Sequence, residues 1–217
     1  TRIGGISGTH LGGGSLVVYG IRANTSTTKV FTAGSNIIGG TVGSSILATS
    51  NSPGSQVIGL ANNNAVSTCT SNTVRNLGNN HGGSAAVIGM SFTSATTNQT
   101  VTQNTIRNLR STHATLPTGV TGIQFTGDTA NVVAGNRIYG LSALTNSNTA
   151  EVNGTRVAGG TTSYRNNMIA VGAGTPNAIG TGSTTGGVNG ILEAGGTNNF
   201  FHNSVYERLS PTTRARL

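Results

Sequence analysis

Four side chains in this 217-residue chain carry a negative charge: Asp128, Glu151, Glu193 and Glu207. Glycoside chemistry needs two carboxylates facing one bond, roughly 5–10 Å apart. A calcium cage needs roughly six to eight oxygens, several of them from acids. Acids this sparse assemble neither, and Asp128, in Gly127-Asp128-Thr129, reads as a turn residue. No catalytic residue, metal site or cofactor is implied. Cys69 is the lone cysteine, so there is no disulfide framework. Arg75, Arg107 and Tyr139, at intervals of 32, have more to offer. Two guanidinium forks and an aromatic face on one side of the protein would suit an acidic sugar chain. His81 and His113 are also 32 apart. Two imidazoles without a third ligand read as solvated loop histidines.

The shared interval belongs to a repeat. Asn-Thr-Val-Arg-Asn-Leu at 72–77 returns as Asn-Thr-Ile-Arg-Asn-Leu at 104–109 and as Asn-Arg-Ile-Tyr-Gly-Leu at 136–141. Looser copies give a column of Asn36, Asn72, Asn104, Asn136, Asn167 and Asn203, each followed two residues later by Ile or Val. The next position runs Gly39, Arg75, Arg107, Tyr139, Ala170, Tyr206, and should point outward. A second column, Val-x-Gly, occurs at 18–20, 57–59, 87–89, 120–122, 152–154 and 188–190. Three residues before each asparagine stand Ala33, Cys69, Val101, Val133, Tyr164 and Phe200, an inward-facing set. Cys69 is therefore expected as a small buried hydrophobe.

Around these columns apolar and polar residues alternate, the signature of strands with one buried face. Helical periodicity is absent. Self-similarity at 20–50 residues means a solenoid, propeller or array. The aromatic signatures and four-strand length of a propeller blade are missing, so the expected fold is an all-β parallel β-helix solenoid. It should have about six coils of 30–39 residues, with Asn and Val/Ile ladders, in one unit over residues 1–206. Six coils would make a rod about 29 Å long. Residues 207–217 should form an irregular tail. Stacked asparagine amides can hydrogen-bond from coil to coil, and asparagine tolerates the left-handed backbone that a bend between strands requires. The arms at roughly 41–55, 77–86, 109–119, 141–151 and 172–187 should be loops. Glu193 stands where other coils have Phe92 and Phe125, so the strand should bend near Gly195-Gly196 and expose it.

Composition agrees with a narrow core. There are 34 glycines, no tryptophan and 7% charged residues. The net charge of +8 comes from arginines scattered along the chain, which is not the clustered signature of specific nucleic-acid binding. No apolar run approaches membrane-spanning length. The chain lacks an initiator Met and begins inside a repeat, which reads as a segment of a longer polypeptide.

Val-x-Gly strands with an asparagine ladder and polar loops resemble the right-handed parallel β-helix superfamily that includes pectate lyases and phage tailspikes. Asn167-Met168-Ile169-Ala170-Val171-Gly172-Ala173-Gly174 and Asn199-Phe200-Phe201-His202-Asn203-Ser204-Val205-Tyr206 resemble, more narrowly, coils of very large secreted bacterial surface proteins of the type IX secretion kind. The resemblance implies a right-handed coil and a structural or adhesin-like role on a secreted or cell-surface protein. Its expected partners are an acidic polysaccharide or cell-surface glycan, and neighbouring coils of a longer parent chain or end-to-end self-association. The same superfamily holds polysaccharide lyases and hydrolases. That alternative requires Asp128 or Glu193 to meet an arginine or histidine in a groove.

Overall fold

Short runs of β-branched residues alternating with polar ones form strands with one buried side, and the chain lays them down in a cycle of three. The computed structural model describes residues 1–12, 14–24, 29–50, 52, 54–63, 65–80, 86–113, 118–145, 147, 149–172 and 187–207. The Val-x-Gly strands Val17–Ala23, Gln56–Asn62, Ala86–Phe92, Gly119–Thr126, Glu151–Gly159 and Gly187–Glu193 form one six-stranded sheet, here the glycine face. Val30–Gly34, Val66–Thr70, Thr100–Thr102, Asn131–Ala134, Thr162–Arg165 and Asn199–Phe201 form a second, the threonine face. The strands after the repeat asparagines, together with Arg2–Ile3 after Thr1, form the third, the asparagine face: Arg2–Ile3, Ile37–Ile38, Thr73–Asn79, Thr105–Thr112, Arg137–Leu144, Met168–Val171 and Ser204–Glu207.

Among the described residues every pairing is parallel, and equivalent residues are 30 to 40 apart, as the Val57–Val87, Val18–Val57 and Ile6–Ile46 registers show. The chain is an all-β parallel β-solenoid with six rungs on two faces, making about five turns. The core is a tube of side-chain ladders: Val57, Val87, Val120 and Val152 on one face, Ile38, Val74, Ile106 and Ile138 on another, all buried. An aromatic stack runs through its later turns. Phe92 and Phe125 have ring centroids 5.6 Å apart, Phe125 and Tyr164 6.4 Å, and Tyr164 and Phe200 5.0 Å.

The asparagine ladder explains why the repeat is written so strictly. The main-chain N–H of Asn72 and its Nδ2 both donate to Oδ1 of Asn104, at 2.9 and 3.0 Å. Asn104 donates in the same way to Asn136 and Asn136 to Asn167. The other Nδ2 proton goes to a carbonyl of the adjacent threonine-face strand, Cys69 O for Asn104 and Val101 O for Asn136. Each amide in the middle of the column thus accepts two bonds and donates two. Left-handed backbone does not lie on these residues. It belongs to the residue just before, Ser35, Ser71, Gln103, Gly135, Asn166 and His202, with φ between 51° and 65°. The bend leaves most of these side chains in solvent and turns the following asparagine inward, where only a carboxamide can serve all four bonds.

The Val-x-Gly glycines answer to packing across the tube. A Cβ on Gly89 would lie 2.5 Å from Ile106 Cγ2 and 2.6 Å from Gly122 O. In every turn the glycine faces the Ile or Val of the ladder strand: Gly20 faces Ile38, Gly59 Val74, Gly122 Ile138, Gly154 Ile169 and Gly190 Val205. The two columns are the two sides of one contact.

Parts of the arms expected as loops are strand. Ile46–Ser50 pairs in parallel with Ile6–His10 and with the end of Thr73–Asn79. The ladder strands continue to Asn79, Thr112 and Leu144. Left-handed residues at Asn76, Asn108 and Gly140 re-aim each strand, so that Leu77, Leu109 and Leu141 return to the core. Glu207, assigned to the tail, is the last residue of a ladder strand. Nearly all of the arm at 172–187 and the rest of the tail lie outside the described residues.

Candidate functional site

The outward column of the asparagine face is set by register. Arg107 is paired with Arg75 on one side and Tyr139 on the other. Tyr139 is paired with Ala170, and Ala170 with Tyr206. Both arginines are half-buried, and Tyr139 is 41% exposed. Arg75 Nε donates to the Gly39 carbonyl at 3.4 Å, which ties its guanidinium to the chain just past Ile37–Ile38. Arg137 belongs to the neighbouring outward column, between Thr105 and Met168. Arg110 lies beyond the bend, with Nε donating to Thr112 Oγ1 at 3.1 Å. The three residues expected to form a strip are thus next to one another on successive rungs, with Arg137 in the neighbouring column extending the cationic surface.

At the far end of this column a cavity of about 470 Å³ opens to solvent, lined by Arg137, Tyr139, Met168, Ala170, Ser204 and Tyr206. Met168 and Tyr206 are exposed at 56% and 61%. The arginine strip therefore ends in an apolar notch with tyrosines at both sides and an alanine between them.

The three glutamate carboxylates are occupied with local structure. Glu207 Oε1 accepts the Gly190 N–H at 2.8 Å, Glu193 Oε1 accepts from Asn198 Nδ2 at 2.7 Å, and Glu151 Oε2 from Asn153 Nδ2 at 3.3 Å. Glu151 pairs with Gly187 and Glu193 with Val157, so the two lie at opposite ends of the glycine-face strands. Glu193 is exposed, as expected, and the chain turns after it at Gly196, φ +99°. Asp128 sits in a connection whose main chain bonds to Thr96 O and accepts the Thr161 N–H. Among the described residues no three of His, Cys, Asp and Glu gather to hold a metal ion. His113 is half-buried, and its main-chain N–H bonds to Leu144 O; His81, its expected neighbour, lies outside the described residues. Cys69 is fully buried, and burial pushes its thiol up to about 12, with a smaller opposing effect from a hydrogen bond to the Ala33 backbone.

A second amide column, without a motif of its own in the sequence, runs beside the first. Five residues before each ladder asparagine from the second onward stand Ser67, Gln99, Asn131, Thr162 and Asn198, a spacing visible in the repeat once it is looked for. Ser67 Oγ donates to Gln99 Oε1, Gln99 N–H to Asn131 Oδ1, and Thr162 N–H to Asn198 Oδ1. Thr162 is too short to continue the chain of amides. Asn131 Nδ2 is buried there without a partner, and Thr162 Oγ1 and the Tyr164 hydroxyl are buried with only each other at hand. Burial raises the Tyr164 phenol well above its ordinary range.

Compared with protein-family models, with curated proteins and with solved structures, the chain matches none. What the geometry defines is a parallel β-solenoid with one arginine- and tyrosine-bearing face.

Proposed function

We propose that this chain is a rigid β-helical segment of a secreted or cell-surface bacterial protein, stalk- or adhesin-like, that holds acidic glycans weakly on its asparagine face. The observation that carries the reading is the register that sets Arg75, Arg107 and Tyr139 side by side, with Arg137 in the next outward column. Guanidinium groups ~4.8 Å apart along a flat sheet present forked donors at a pitch that a polymer carrying regular carboxylates or sulfates can follow. Half-buried arginines lose less side-chain freedom on binding than fully solvated ones. The resemblance of the repeat to coils of large secreted bacterial surface proteins supports the location. A glycan array tests the reading. The wild-type chain should retain acidic polysaccharides at low salt and lose them as salt rises. Arg75→Ala/Arg107→Ala should lose most of that signal; equal signals from both proteins would remove the proposal.

A further inference from the structure

The notch at the end of the arginine column has a definite width, and width selects an occupant. Tyr139, Ala170 and Tyr206 are register partners on three successive rungs. The two tyrosines therefore leave the sheet about 9.6 Å apart, twice the strand spacing. Ala170 supplies a floor that ends at Cβ, and Met168 and Ser204 line one flank with Arg137. A planar aromatic ring stacked against both tyrosines needs walls only about 7 Å apart, two contacts of about 3.5 Å each. A puckered saccharide ring, with carbon atoms about 4 Å from each wall, needs about 8 Å or slightly more. The spacing at the strand roots exceeds both, and the thicker ring is the one held with the smaller inward lean of the tyrosines.

Two aromatic walls also impose a stereochemical demand. Each wall needs a sugar face that presents C–H groups, because a hydroxyl turned onto the apolar ring loses its hydrogen bonds to water. A pyranose whose ring substituents are all equatorial, the β-gluco configuration, has axial C–H groups on both faces. A galacto-configured ring carries an axial oxygen at C4 and offers only one such face. We infer that the Tyr139–Ala170–Tyr206 notch is a saccharide subsite that sandwiches one β-gluco-configured pyranose unit, with the guanidinium of Arg137 at its rim. The inference rests on the glycan reading above and adds to it a ring position and a sugar configuration.

Isothermal titration of the full chain with β-1,4-linked glucose and galactose hexamers, and with an oligoglucuronate, tests it. The glucose hexamer should bind about fivefold to tenfold more tightly than the galactose hexamer, since one stacking face is worth about that factor. The oligoglucuronate should bind at least as well as the glucose hexamer. Ala170→Leu, which fills the floor from the solvent side, and Tyr206→Ala should each weaken binding of the glucose hexamer about fivefold to tenfold; unchanged circular dichroism would show that the fold is intact. Equal binding of the two neutral hexamers, or wild-type affinity in Ala170→Leu, overturns the subsite. If Arg75→Ala/Arg107→Ala loses acidic glycans while Ala170→Leu keeps every ligand, the arginine strip stands and the notch falls. If the wild type binds no saccharide, both fall.

Discussion

Replacing Asn104 by alanine asks whether the ladder holds the solenoid together or merely decorates it. Asn104 Oδ1 accepts the main-chain N–H and one Nδ2 proton of Asn72, and its own Nδ2 donates to Cys69 O and Asn136 Oδ1. Alanine strands the Asn72 N–H, one Asn72 Nδ2 proton and the Cys69 carbonyl, on residues that are 1% and 0% exposed. At about 1–3 kcal/mol for each buried unsatisfied group, the loss is about 3–9 kcal/mol. A water entering the vacated space would satisfy part of this, placing the expected loss at about 4 kcal/mol. Asn36→Ala makes the same chemical change at the end of the ladder. It removes one donor to Asn72 Oδ1 and leaves that oxygen still accepting the Asn36 N–H, so its cost should be about 1 kcal/mol or less. Urea unfolding followed by far-ultraviolet circular dichroism measures the difference. Melting temperature should fall by about 8–16 °C for Asn104→Ala and by a few degrees at most for Asn36→Ala. Rungs stabilise their neighbours, so the central substitution should also broaden the transition as the two halves uncouple. Equal losses from the two variants would refute the reasoning, because they would mean that position in the ladder does not matter.

Gly89→Ala forces a methyl into Ile106 and the Gly122 carbonyl and should cost about 2–3 kcal/mol. Gly119→Ala, with nothing within 4 Å of its Cβ, should be close to neutral, and thermal melts of the pair check both. Thr162→Asn changes volume little and gives Asn131 Nδ2 the acceptor it lacks; denaturant midpoints should rise by the equivalent of about 1 kcal/mol. The Cys69 thiol, raised in the fold, stays protonated and buried at neutral pH, so thiol reagents should label it only after unfolding. A raised acid stabilises the fold below its unfolded value and loses that contribution as pH climbs toward its folded one. Stability should therefore decline from about pH 9 toward 12. Cys69→Val should blunt the decline without abolishing it, since Tyr164 titrates in the same direction.

The fold was legible because a solenoid repeats its solution: six asparagines and six Val-x-Gly pairs in step leave few other architectures. The causes behind the columns were harder to read. Asparagine is both a good left-handed residue and a good ladder residue, and sequence alone does not separate the two uses. The backbone gives the left-handed angle to Ser71 or Gln103 and the ladder to the asparagine after it. The glycine column likewise looks like a turn signal until its partner is known. Its cause, Ile106 against Gly89, joins residues 17 apart that meet only when the strands wrap the tube.

The site shows the same division between register and width. Arg75, Arg107 and Tyr139 could be aligned because each occupies one position of the repeat, and position fixes register. The continuation through Ala170 to Tyr206 follows the same column, yet alanine offers no chemistry and looks like a gap in the strip. In three dimensions the small residue is what makes the notch, since a larger side chain there would fill the space between the tyrosines. A solenoid can hold its shape by repeating a residue, but it makes a concavity on a flat face only by breaking the repeat. Along this column the repeat gives way to a small residue at Gly39 and at Ala170, and the cavity lies over Ala170, where tyrosines stand on both sides. Departures from the consensus on the outward columns are therefore where binding sites on such a rod should be sought, and the asparagines that define the consensus are where they should not.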